Sequence, residues 1–176
     1  MLIRKAQGFA LIDLIFVCGI IGLLSSIALP RLLLAQQAAG ASSAIGTMRT
    51  LGSAELTYAL TCGSGFYAPN LVTLGTPPPG SHEPYITPAL SGSNSVIRSG
   101  YIVQLEGLPY DGAPPTCNGL GGGEAAQGFR AGADPTTAGN VRFFAVNANG
   151  LIYEHTATIY PDMPEVGVPP AGHSLR

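Results

Sequence analysis

Gly8-Phe9-Ala10-Leu11-Ile12-Asp13 opens the stretch that decides how this chain is read. Leu14-Ile15-Phe16-Val17-Cys18-Gly19-Ile20-Ile21-Gly22-Leu23-Leu24-Ser25-Ser26-Ile27-Ala28-Leu29-Pro30 completes it. Seventeen uncharged residues separate Asp13 from Arg31, the lower end of the roughly 17–25 that a helix needs to cross the hydrocarbon core of a bilayer. Arg4 and Lys5 precede the stretch, and Lys5 is the sole lysine of the protein. That basic pair predicts a cytoplasmic Met1 and a translocated remainder.

The rest of the composition agrees. Of 176 residues, 46% are hydrophobic and 10% charged, whereas charged residues make up about a quarter of an ordinary soluble domain. Part of the chain therefore belongs out of water. A formal net charge of -2 supplies no cationic face, which argues against a nucleic-acid binder held by phosphate neutralisation. The 24 glycines and 15 prolines point to a loop-rich fold rather than a disordered one. The length fits a single domain.

Three readings compete for the apolar stretch. A secretory signal peptide would end at a small-x-small site, and Ser26-Ile27-Ala28 offers one. A signal anchor would stay uncut. Neither accounts for Asp13, because a carboxylate inside an insertion segment costs up to about 2.5–3.5 kcal/mol at mid-membrane and intramembrane acids are usually functional.

Gly8-Phe9-Ala10-Leu11-Ile12-Asp13, behind a short basic leader and ahead of an apolar helix, resembles the class III signal of type IV pilins and of the pseudopilins of type II secretion. The likeness covers roughly residues 4 to 34. It implies a leader of residues 1–8, cleavage between Gly8 and Phe9 by a membrane-embedded prepilin peptidase, and N-methylation of Phe9. It also implies an assembly role for Asp13 and a loosening of the helix at Gly22 and Pro30. One departure stands out: the family usually carries glutamate where this chain has Asp13, one methylene shorter. The physics survives the change. Cleavage would place a positive α-amine in an apolar bundle, where an unpaired charge is costly, and Asp13 lies four residues on, about 5.4 Å or one helical turn along. A tolerated acid near the membrane interface is the plainer alternative.

Past Pro30 the helix signal continues. Ala35-Gln36-Gln37-Ala38-Ala39-Gly40-Ala41 is rich in helix formers, and Ala41, Ala44, Met48, Leu51 and Tyr58 recur at spacings of 3, 4, 3 and 7, one apolar stripe. Pro30 predicts a bend, and Gly40, Gly46 and Gly52 weaken the helix. A helix from Phe9 to Leu60 would extend roughly 78 Å, so residues 9–30 are expected in lipid and residues 31–60 against an external domain.

That domain, residues 61–176, begins at Thr61-Cys62-Gly63-Ser64-Gly65. Residues 70–94 carry Pro77-Pro78-Pro79-Gly80, Pro84 and Pro88, which read as surface loops. Three antiparallel strands are expected: Tyr101 to Glu106 by alternation, Val141 to Val146, and Leu151 to Ile159 behind an Asn149-Gly150 turn. The tail from Pro161 to Arg176 reads as irregular. The fold class is thus α+β, with a long N-terminal helix whose amphipathic upper half covers a small antiparallel sheet. The pilin resemblance implies the same architecture.

Cys18 lies in the apolar segment and is expected to pack as a small apolar residue. Cys62 and Cys117 are the pair of the external portion, and a disulfide between them would restrain the proline-rich region; two free thiols are the alternative. No CxxC or HxxxH spacing suggests a metal, and no cofactor is expected. His82, His155 and His173 are scattered, Gly-x-Ser-x-Gly is absent, and Gly119-Leu120-Gly121-Gly122-Gly123 lacks the Lys-Ser/Thr of a phosphate loop, so no catalytic constellation emerges. Asp134, Asp162 and Glu165 form no ordered calcium motif.

The expectation is a filament subunit rather than an enzyme. Its implied partners are itself, the prepilin peptidase, an inner-membrane platform protein, an assembly ATPase and, before assembly, membrane lipid. The implied location is a bacterial inner membrane with the head outside the cytoplasm, then a pilus or periplasmic pseudopilus. A type II secretion pseudopilin is the nearest alternative. From another class, an anchored or secreted binding module would use the N-terminus only for export.

Overall fold

The computed structural model describes residues 11–175. The chain divides at Ala39/Gly40 into two units, and helix α1 (Leu11–Thr61) supplies residues to both.

Within the first unit, residues 11–39 are helical throughout. The helix is continuous at Pro30 and at Gly40, Gly46 and Gly52 beyond it. A proline and three glycines cost several kcal/mol of propensity together, so tertiary packing or a non-aqueous surrounding must support the helix.

The second unit is α+β. Two four-residue helices, α2 (Leu71–Leu74) and α3 (Pro88–Ser91), interrupt the proline-rich stretch, as expected where regular elements cannot run long. Asn70 starts α2 by accepting the Thr73 N–H at 2.9 Å, which satisfies one of the donors orphaned at a helix start. The remaining elements are β1 (Ser95–Arg98), β2 (Tyr101–Glu106), β3 (Arg130–Pro135), β4 (Phe143–Asn147), β5 (Ile152–His155) and β6 (His173–Ser174). They form one antiparallel sheet in the order β1-β2-β3-β4-β5-β6.

Six strands replace the three expected. The expected strands at 101–106, 141–146 and 151–159 are β2, β4 and β5, the last ending at His155. β1 and β2 are joined by Ser99 and Gly100 at φ 50° and 79°, with Arg98 opposite Tyr101. Positive φ at both turn residues matches the right-handed twist of the strands they join. β3, Arg130-Ala131-Gly132-Ala133-Asp134-Pro135, lacks the branched and aromatic residues that mark a strand. It is held centrally because β2 and β4 both pair with it. The tail is not wholly irregular, since β6 closes the sheet against β5.

One face of the sheet meets the helix. Tyr101, Val103 and Leu105 of β2, Ala131 and Ala133 of β3, Phe144 and Val146 of β4 and Ile152 of β5 form a core with Ala41, Ala44, Met48, Leu51 and Tyr58 of α1. The stripe read at spacings of 3, 4, 3 and 7 is therefore the buried face. Burial of a side chain such as Leu51 or Met48 is worth about 1.5–3 kcal/mol. Small residues let the helix come close: a Cβ on Gly40 would lie 2.9 Å from the Ser99 carbonyl oxygen. Beside it, the Ser43 hydroxyl donates to Ser99 Oγ at 2.8 Å.

The opposite face is covered in part by residues 157–168. Ile159 and Met163 pack on Ala145 and Tyr153. Buried Asn147 donates to the Pro164 and Gly167 carbonyls at 2.9 and 2.8 Å, which ties this strap to the end of β4.

Candidate functional site

Among the described residues, positions 11–34 of α1 are exposed throughout. Fifteen large apolar side chains from Leu11 to Leu34 are between 44% and 74% exposed, and they lie on every side of the helix rather than on one stripe. A helix apolar all round is stable only inside a large core or in a membrane. By length and composition this one can cross a bilayer. It is a candidate membrane anchor or export signal.

Asp13 stands in the first turn of α1. The cleavage site expected at Gly8 and Phe9, and Phe9 as the modified residue, lie outside the described residues. Among the described residues, nothing beyond the adjoining helix backbone lies within 4 Å of where a Cβ on Gly22 or Gly19 would stand, and Pro30 lies inside the helix. Cys18 is a free, exposed thiol. The first charge after Asp13 is Arg31, also exposed.

No family model, curated protein or solved structure matches this chain. Its chemistry has to be read from its own residues.

In the head, Cys62 and Cys117 are joined by a disulfide with a Cα–Cα distance of 4.9 Å. Cys62 follows the last turn of α1, where Ser64 and Gly65 adopt positive φ and the Gly65 N–H donates to the Ala59 carbonyl at 2.8 Å. Asn118 reinforces the link. Its Oδ1 accepts the Tyr58 hydroxyl at 3.2 Å and its Nδ2 donates to the Thr73 carbonyl at 3.0 Å, joining α1, α2 and the disulfide loop.

The three histidines are not brought together. The His155 ring nitrogen Nδ1 accepts the Ala157 N–H at 3.1 Å, His173 Nε2 stands 4.0 Å from Glu154, and His82 is exposed in the proline-rich loop. Among the described residues, no three His, Cys, Asp or Glu side chains cluster as a metal set. Asp134 accepts the Thr158 hydroxyl at 2.6 Å and Glu165 accepts the Leu108 N–H, so two of the acids considered for calcium serve the strap instead. The Gly119–Gly123 tract is a loop.

Two charged features were not anticipated. Glu55 is fully buried in α1. Its Oε2 accepts the Ala68 N–H at 2.9 Å, while its Oε1 is buried without a partner. Burial pushes its carboxyl well above the usual carboxylate range, partly opposed by that hydrogen bond. The signal was present as the seven-residue gap between Leu51 and Tyr58, which Glu55 fills at the helical spacing. The second is Glu154, which Arg142 grips with both Nε and Nη2; the guanidinium holds the Glu154 carboxyl below its ordinary value.

Proposed function

We propose that this chain is a structural subunit of a type IV pilus or pilus-like filament. The observation that carries the reading is a helix apolar on all sides, with one carboxylate in its first turn, lying directly behind Gly8-Phe9. In this reading prepilin peptidase cuts after Gly8 and the Phe9 amine is methylated. The head waits outside the cytoplasm while the apolar half of α1 stays in the inner membrane.

Assembly exchanges lipid for protein around that helix. Copies that meet head to tail without closing a ring build an open filament. Each incoming amine needs an acid, because a buried unpaired charge costs several kcal/mol. Asp13 supplies it, either to its own Phe9, one turn of about 5.4 Å away, or to that of the adjacent subunit. An assembly ATPase and an inner-membrane platform protein would drive the exchange. The disulfide and the core around Met48 and Leu51 keep the head folded outside the cell.

Replacement of Asp13 by Ala tests the pairing in the native cell. The expected result is a normally cleaved protein that remains in the membrane and is lost from the sheared surface fraction. Undiminished incorporation into filaments would overturn the assignment.

A further inference from the structure

The strap covers only part of the outer face of the sheet. On β2, the residues alternating with buried Tyr101, Val103 and Leu105 are Ile102, Gln104 and Glu106, all half-buried. Across the sheet, Gln104 lies opposite Ser95 of β1 and Gly132 of β3, and Glu106 opposite Arg130. Tyr160 marks the edge of the strap. It lies so close to β3 that a Cβ on Gly132 would stand 2.7 Å from its own Cβ, and the Arg130 guanidinium lies 5.5 Å from its ring centre. Between Tyr160, the outer face of β1 and β2, and the turn at Pro69-Asn70 runs an open groove of about 520 Å³. That volume falls within the range of small-molecule sites.

The polar groups of this groove are already oriented. Asn70 Oδ1 accepts both the N–H and the hydroxyl of Thr73, at 2.9 and 3.1 Å, which fixes the amide and leaves its nitrogen as a donor. Gln104 Nε2 is directed to Ser95 Oγ at 3.4 Å, leaving its oxygen as an acceptor. Asn94 is exposed at the mouth and can do either. Glu106 is the one carboxylate among the described residues lining the groove, and Arg130 Nη2 neutralises it at 2.8 Å. The groove therefore offers fixed donors and acceptors and an aromatic ring with no net charge.

We propose that this groove binds a neutral saccharide. A sugar hydroxyl both donates and accepts, so it can bridge an amide nitrogen and an amide oxygen in one contact. The apolar face of a pyranose suits the body of Tyr160, a half-buried ring whose hydroxyl is turned toward Glu106. An anionic ligand would meet no unpaired cation here, and a cationic one no unpaired carboxylate. The site lies wholly in the head, so it stands or falls separately from the role of the N-terminal helix.

The test uses the full chain in a zwitterionic detergent free of sugar headgroups. Neutral di- and trisaccharides of hexoses and N-acetylhexosamines are the probes, and saturation-transfer NMR is the readout. The variant is Asn94→Ala with Gln104→Ala, two positions outside the buried core, with the melting temperature as a check on folding. The proposal expects binding of at least one saccharide, weakened about tenfold or more in the variant, as when truncation removes a contact worth about 1.4 kcal/mol. Lack of binding of any of them up to about 10 mM, or equal binding by the variant, would overturn it. Maleimide labelling of a Gln104→Cys variant supplies the competing outcome. Protection on self-association, with none from saccharide, would assign the groove to a contact between copies and refute the proposal.

Discussion

Replacing Glu55 by Gln probes the buried carboxylate without removing the acceptor that Ala68 needs. In the wild type, Oε2 satisfies the Ala68 N–H at 2.9 Å and Oε1 is buried without a partner, so ionisation places a half-satisfied charge in the core. Desolvation raises the folded-state pKa. The sign of the linkage follows. Below the ordinary carboxylate range both states are protonated and burial costs little. As pH rises, the unfolded chain releases its proton first, and stability falls until the folded-state pKa is passed. Across that window the loss is about 1.4 kcal/mol per pH unit, or roughly 5 °C of melting temperature for a head of this size. The glutamine variant lacks this dependence. The assay is the melting temperature of wild type and Glu55→Gln, followed by circular dichroism from pH 4 to 9 in one detergent. The variant is expected to gain on the wild type as pH rises from the carboxylate range. Parallel curves would refute the argument, because they would mean that Glu55 titrates alike in both states. A companion Glu55→Ala variant strands the Ala68 N–H in the core and is expected to lose about 1–3 kcal/mol at pH 4.

Two further predictions follow from the head. Reduction of the Cys62–Cys117 disulfide releases a loop of sequence separation 55, which the chain-entropy model prices at about 4 kcal/mol; the expected outcome is a melting temperature lowered by 10 °C or more under reducing conditions, roughly at the 3–4 °C per kcal/mol of a domain this size, and an unchanged value would mean that the loop is held by its other contacts. Gly132→Ala pushes a methyl against Tyr160, 2.7 Å from its Cβ, and is expected to cost about 1–3 kcal/mol. Limited proteolysis should then cut within residues 157–168 sooner than in the wild type, and equal protection would show that the strap can shift without loss.

Much of this arrangement is legible in the sequence, and the gaps have physical causes. The stripe Ala41, Ala44, Met48, Leu51, Tyr58 announces its buried face by helical spacing, and β2 announces itself by alternation. β3 does not, because Ala131, Gly132 and Ala133 are small for the sake of their neighbours: Tyr160 crowds one side, while Phe144 and Tyr101, with ring centres 5.9 Å apart, belong to the strands flanking it. Single-residue propensity has no access to that tertiary demand. The Ser99-Gly100 turn was readable as a hairpin signal once four residues before it are allowed to form a strand. Glu55 hid in the stripe because charge normally marks an exposed position. The outer-face groove could not be seen from the sequence, since it exists only where the strap stops short of β1 and β2.

The central claim concerns the N-terminus, and one measurement addresses it directly: the intact mass and N-terminal sequence of the protein isolated from its native cell membranes. The account predicts a chain beginning at Phe9 and about 14 Da heavier than the bare cleavage product, the mass of one added methylene. A chain beginning at Met1, or at Leu29 after cleavage behind Ala28, would contradict it and leave the helix as an anchor or export signal alone.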